Sequence, residues 1–159
     1  MKSASLNIYF EEYLPEELTT EDQELIIAAR QIAESAYAPY SKFRVGAALR
    51  MTNGKIIVGS NQENVSSPVG TCAERTALNW AGANYPGIAV EAVAISAIDT
   101  TGNRAANLSP CGMCRQALLE TQQRSGKPVG ILMDGPVSIK KLKSINDLLP
   151  FSFDQNSLK

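Results

Sequence analysis

The chain has 159 residues, 19% of them charged and 44% apolar, with a formal net charge of -1. At that length one domain with a conventional core is expected, and no apolar run approaches the roughly 18 residues needed to span a membrane. Fifteen Lys+Arg against 16 Asp+Glu leave no basic excess to track a phosphate backbone, which argues against nucleic acid as a partner. Histidine is absent altogether. That removes the Ser-His-Asp and Cys-His nucleophile systems and leaves cysteine and carboxylate as the only builders of a transition-metal site. The three cysteines are an odd number, and Met1-Lys2-Ser3-Ala4-Ser5 leads into polar, acidic sequence with no signal-type apolar core. A reducing, cytoplasmic setting with free or metal-bound thiols is therefore expected.

In chain order, residues 6–13 are rich in strand formers and predict an early edge strand. Thr20 and Gln23 have capping-box spacing, and Leu25, Ile26, Ala29, Ile32, Ala33 and Ala36 then follow a helical period until Pro39 stops it. Residues 43–51 and 55–59 flank Asn53-Gly54, a strong hairpin signal. Residues 71–83 read as a helix. The long apolar run at 89–98 reads as a strand covered on both faces. Ser109-Pro110 leads into a helix at 111–124, followed by a buried strand at 129–133, a basic stretch at Lys140, Lys141 and Lys143, and a short helix at 145–149. Strands alternating with helices predict an α/β fold, a three-layer α/β/α arrangement around a mixed sheet of about five strands.

Chemistry concentrates in two segments, Thr71-Cys72-Ala73-Glu74-Arg75 and Pro110-Cys111-Gly112-Met113-Cys114. Cys111 and Cys114 lie three apart at a helix start, so their thiols share a face. Cys72 opens the other helix, where the positive end of the dipole favours thiolate. Three thiolates from two helix starts suit a zinc ion with its fourth position open, the mark of a catalytic rather than a structural site. A redox dithiol would also use Cys111 and Cys114, but it gives Cys72 no role. Glu74, two residues after Cys72, points about 200° away along a regular helix, yet a pocket off the helix end is within reach of both. Glu74 is then placed to move protons. Arg75, on the face of Cys72, offsets the net -1 of three thiolates around a divalent ion. Taken separately, Glu74 and Arg75 also read as a solvated first-turn pair.

Cys72-Ala73-Glu74 with a downstream Pro110-Cys111-Gly112-Met113-Cys114 resembles the zinc-dependent nucleobase and nucleoside deaminases. Ala36-Tyr37-Ala38-Pro39-Tyr40-Ser41-Lys42-Phe43-Arg44-Val45-Gly46, Asn61-Gln62-Glu63-Asn64, Cys111-Gly112-Met113-Cys114-Arg115-Gln116 and Leu148-Leu149-Pro150 narrow the resemblance to the short, homotetrameric cytidine deaminases. It extends over about residues 21–153. The chain then reads as one domain, 1–159, with residues 1–20 as an N-terminal extension. The resemblance implies one Zn²⁺ per chain on Cys72, Cys111 and Cys114, with Glu74 as the proton shuttle in hydrolytic deamination of cytidine or deoxycytidine. It further implies a ribose contact through Asn61 and Glu63, a base pocket lined by Phe43 and the backbone at Ala73, and Phe153 closing over the base from a neighbouring subunit. Gln116 is implied as an outer donor to the thiolates. Alternation along a strand puts Asn61 and Glu63 on one side and Gln62 on the other, and a turn role for Asn64 is equally open. Ser67-Pro68 stands where many members carry a tyrosine and a small residue, and Gln62 replaces the usual aliphatic. Competing readings are a blasticidin-type aminohydrolase, a nucleic-acid-editing deaminase and a non-catalytic zinc module.

Overall fold

A computed structural model describes residues 1–158. Strands β1 (Glu11–Tyr13), β2 (Arg44–Met51), β3 (Ile56–Ser60), β4 (Val90–Ile98), β5 (Gly130–Asp134) and β6 (Ile139–Leu142) form one sheet in the order β1-β6-β5-β4-β2-β3. Only β4 and β5 run parallel, and the helix between them, α3 (Gly112–Ser125), is their crossover. Helix α1 (Thr20–Ala33) covers one face of the sheet, while α2 (Ala73–Asn84) and α3 cover the other. The expected three-layer α/β/α arrangement is present, with six strands rather than five.

Side-chain size along the central strands decides how close each helix layer comes. Residues alternate across a strand, and here small residues alternate with large ones. Ala48, Ala92 and Ala94 face Leu25, Ile26 and Ala29 of α1. Leu49, Val93, Ile95 and Ile131 face Ala77 and Ala81 of α2 and Leu118 and Leu119 of α3. Each fully buried Leu or Ile contributes about 1.5–3 kcal/mol, so the α2/α3 side holds most of the apolar burial.

Two glycines mark where helix backbone meets sheet. A Cβ on Gly46 would stand 2.1 Å from the Ala29 carbonyl oxygen of α1, and one on Gly59 would stand 2.6 Å from the Ala77 nitrogen and 2.8 Å from the Ala73 oxygen of α2. Both obstacles are backbone, which cannot swing aside. Gly59→Ala must push the first turns of α2 off the sheet, and a destabilisation of about 1–3 kcal/mol or more is expected from denaturant unfolding.

Several sequence expectations shift at their edges. The helix cap is Thr19, not Thr20: its hydroxyl accepts from the Asp22 amide at 3.3 Å, and Gln23 bonds the Leu18 carbonyl instead of closing a box. Helix α1 ends at Ala33, short of Pro39, because Tyr37 pairs with the Asn61 segment. The predicted strand at 6–13 is reduced to Glu11–Tyr13, since its partner β6 ends at Leu142. The extra strand is β6. Ile139 and Leu142 are buried on opposite faces, and the lysines between them are engaged, Lys141 by Asp22 and Lys140 over the Phe10 ring.

Candidate metal centre and active site

Strand register explains why two distant cysteines meet. Ser60 of β3 and Ser96 of β4 both lie opposite Gly46, near the start of β2. The chain therefore leaves β3 and β4 at the same end of the sheet, and the helices that follow both begin there. Between β3 and α2 the chain makes a closed excursion: Gln62 and Thr71 exchange backbone hydrogen bonds of 2.9 Å in both directions, which returns Cys72 to the strand end. Thr71, expected inside the helix, is used in this bridge, and α2 starts at Ala73.

Cys72 and Cys111 occupy equivalent positions. Each is the residue before its helix, with φ/ψ of -69/154° and -66/165°, and each carbonyl accepts the first helical bond, from Thr76 and Arg115. Neither sulfur is used for capping, so both are free to face outward from the helix ends where unpaired N–H groups carry positive partial charge. Cys114 completes the set from the first turn of α3. The Sγ atoms of Cys72 and Cys111 are 3.7 Å apart, those of Cys111 and Cys114 3.5 Å, and all three lie within 4.8 Å of one another. Zn–S bonds of about 2.3 Å in a tetrahedron place sulfurs about 3.8 Å apart. The donor set fits one zinc ion, and among the described residues it is the only group of three or more potential ligands that does so.

The electrostatics favour one anionic sulfur, that of Cys72. Bonding from the Cys114 thiol, against partial burial and aided by Cys111 and Arg75, pulls the Cys72 thiol down to about 5. Cys114 is held protonated by its bond to Cys72, by burial and by the nearby charge of Glu74. Arg75 also donates to the Gly70 carbonyl at 3.3 Å, which ties it to the loop ahead of Cys72. Glu74 is 4% exposed. Burial first, and then the negative charge of Cys72, push its carboxyl above the ordinary range, while its own backbone N–H and the Cys114 thiol oppose the shift. The carboxyl thus sits against the sulfur cluster rather than in solvent.

The remaining expected residues fall into two groups. Asn61 and Glu63 grip the segment that carries Phe43. Asn61 Nδ2 donates to the Phe43 carbonyl at 3.0 Å and its Oδ1 accepts from the Val45 amide at 2.7 Å. One carboxylate oxygen of Glu63 accepts from the amides of Tyr40 at 2.9 Å and Ser41 at 3.2 Å; the Ser41 hydroxyl, these two amides and Lys42 hold its pKa low. Between these anchors Lys42 takes a left-handed φ of 59°. Ala73 is fully buried in the first turn of α2. Gln116 does not reach a sulfur; its Nε2 donates to the Phe153 carbonyl at 2.9 Å, and Phe153 is 63% exposed. Ser67 and Pro68 form an exposed turn within the excursion before Cys72. Gly59 and Arg115, neither among the expected site residues, also shape the centre. Gly59 could be recognised only once α2 was placed, whereas Arg115 was signalled by standing next to Cys114.

Comparison with known proteins agrees with this geometry. The family model described as the cytidine and deoxycytidylate deaminase zinc-binding region matches residues 19–126. A cytidine deaminase from Mycobacterium tuberculosis is 38% identical over 133 residues, 82% of this chain and 87% of that one. One from Halalkalibacterium halodurans is 46% identical over 98 residues, 62% of this chain and 70% of that one. The crystal structure of cytidine deaminase from Burkholderia pseudomallei superposes with a TM-score of 0.70 at 37% identity, covering 86% of this chain and all of that one. With three sulfurs gathered at two helix starts and a buried carboxyl beside them, the chain belongs to the zinc-binding cytidine and deoxycytidylate deaminase family.

Proposed function

We propose that the chain hydrolyses cytidine and deoxycytidine to uridine and deoxyuridine with release of ammonia. The observation that carries this is Glu74, a buried carboxyl with a raised pKa set against a cluster of three sulfurs. Cys72, Cys111 and Cys114 hold one zinc ion, which when bound supplies Lewis acidity for the activation of water. Glu74 takes a proton from the attacking water and delivers it to N3 of the pyrimidine. It then moves the second proton to the amino nitrogen at C4, which leaves as ammonia. A carboxyl lifted above its ordinary range by burial is suited both to take up a proton and to hand it on.

Asn61 keeps one N–H and one lone pair beyond its two backbone bonds, and the Glu63 carboxylate keeps acceptor lone pairs beyond its bonds to Tyr40 and Ser41; both suit a ribose. Phe43, held between them, and Ala73 line the base. Phe153, exposed and anchored through its carbonyl, reaches the base of a neighbouring subunit in a homotetramer. Residues 1–159 act as one catalytic domain, with residues 1–20 as an extension that adds β1. Among the described residues no helix is long and apolar enough to cross a membrane, and three free thiols suit a reducing cytoplasm.

Ammonia release from purified protein, with zinc quantified before and after chelation, tests the reading. Cytidine and deoxycytidine are expected to turn over, with cytosine, adenosine, blasticidin S and a cytosine-containing oligonucleotide far slower. Zinc-loaded protein that releases no ammonia from either nucleoside overturns it.

A further inference from the structure

Four arginines away from the cysteines are neutralised by carboxylates. Asp134 pairs with Arg30 and Arg104, Glu34 with Arg44, and Asp22 and Glu91 with Arg50. Arg115 differs. Like Arg75 and Arg124 it enters no ion pair among the described residues, and it is half-buried in the first turn of α3. Its guanidinium is spent on three neutral oxygens: Nε donates to the Pro110 carbonyl at 2.9 Å, Nη1 to the Leu148 carbonyl at 2.9 Å, and Nη2 to the Ser109 hydroxyl at 2.8 Å. Its backbone N–H bonds the Cys111 carbonyl at 2.9 Å. Residues 109–111 are thereby gripped by the main chain and side chain of one residue.

The same guanidinium reaches into a second segment. Leu148 begins the run that ends in Phe153 and Asp154, and α3 holds that run at two further points, through Gln116 on the Phe153 carbonyl and Gln123 on the Asp154 carboxylate at 3.2 Å. Of these three α3 side chains, Arg115 is the one that joins the run to the cysteine loop. Ile8 and Phe10 of the N-terminal extension share a groove with Arg115 and Leu148, whose wall also carries Lys140 and Asp147, although Arg115 pairs with neither. A planar fork of donors fixes the relative orientation of two segments in a way a lysine ammonium does not.

We propose that Arg115 is a positioning residue of the metal centre, which holds Cys111 in register with Cys114 and couples that loop to the C-terminal run carrying Phe153. The inference rests on the three cysteines holding zinc. On purified holoenzyme, Arg115→Gln is expected to release zinc to a chromogenic chelator about 10- to 100-fold faster than wild type, and to raise KM for cytidine more than it lowers kcat. Arg115→Lys keeps the charge but loses the fork, and falls between the two. Ser109→Ala removes a single acceptor and accelerates release by about two- to tenfold. Arg30→Gln breaks an ion pair on the opposite face of the sheet, and is expected to lower Tm while zinc release stays at the wild-type rate. Wild-type release from Arg115→Gln overturns the role of Arg115; if that variant does not fold, wild-type release from both Arg115→Lys and Ser109→Ala does so. Equal acceleration by Arg30→Gln reduces the effect to general stability and overturns the proposal too. Zinc-free wild-type protein sinks the metal reading itself, a distinguishable failure.

Discussion

Glu74→Gln is expected to purify with zinc bound and with kcat for cytidine reduced by roughly 10²–10⁴-fold, the usual contribution of a positioned acid–base group. The amide has the same shape and fills the same buried space, so the sulfurs keep their neighbour, but it cannot carry a proton from water to the base. Both kcat and kcat/KM should fall together, as for a contribution made in the transition state. Stability should move the other way. A carboxyl whose pKa is raised on folding contributes stability that is fully present below its unfolded pKa and lost as pH rises through the folded value. Glutamine has no such loss, so after zinc is removed from both proteins the variant should equal or exceed the wild type in Tm at neutral pH. Measurements of ammonia release, bound zinc and thermal unfolding on one preparation suffice; a variant with kcat within tenfold of wild type removes Glu74 from the mechanism.

Cys114→Ala should abolish both zinc and turnover. Cys114 is the one fully buried member of the trio, 0% exposed, and its sulfur touches Cys111 and interacts with Cys72 and Glu74. Two thiolates remain, too few for a stable centre. The lost sulfur itself leaves only a small cavity, at a cost of about 1 kcal/mol, so most of the loss in Tm should come from the missing metal. Chelated wild type and untreated Cys114→Ala are accordingly expected to unfold at similar temperatures, with the holoenzyme well above both. Free zinc at 1,000-fold over its Kd stabilises by about 4 kcal/mol. Zinc bound at one per chain by Cys114→Ala would remove it from the ligand set.

The chemistry was easier to read in the chain than the sheet edges were. With no histidine available, three thiols at two helix starts had few other uses, and the spacing of Cys111 and Cys114 needs only one helical turn to become geometry. The hairpin was legible because Gly54 supplies the left-handed φ of 80° that its turn requires. Strand β6 was not, because Lys140 and Lys141 hide a buried pair of aliphatics and find their partners in Phe10 and Asp22, more than a hundred residues away. Residues 6–10 have strand composition but no partner strand long enough to pair with them. Asn61 shows a different limit. Its amide type suited a sugar, while the two backbone bonds it makes to β2 and the preceding residue depend on a register that no local pattern reveals.

The sulfurs of Cys72 and Cys111 touch across a gap of 39 residues, which encloses all of α2 and β4. A bound ion therefore works as a removable staple across the middle of the molecule, closing a loop whose entropic cost the bare chain would have to meet through packing alone. Scarcity of metal in the cell should then do more than silence turnover: it should leave this chain open to proteases, so that its abundance follows the zinc supply.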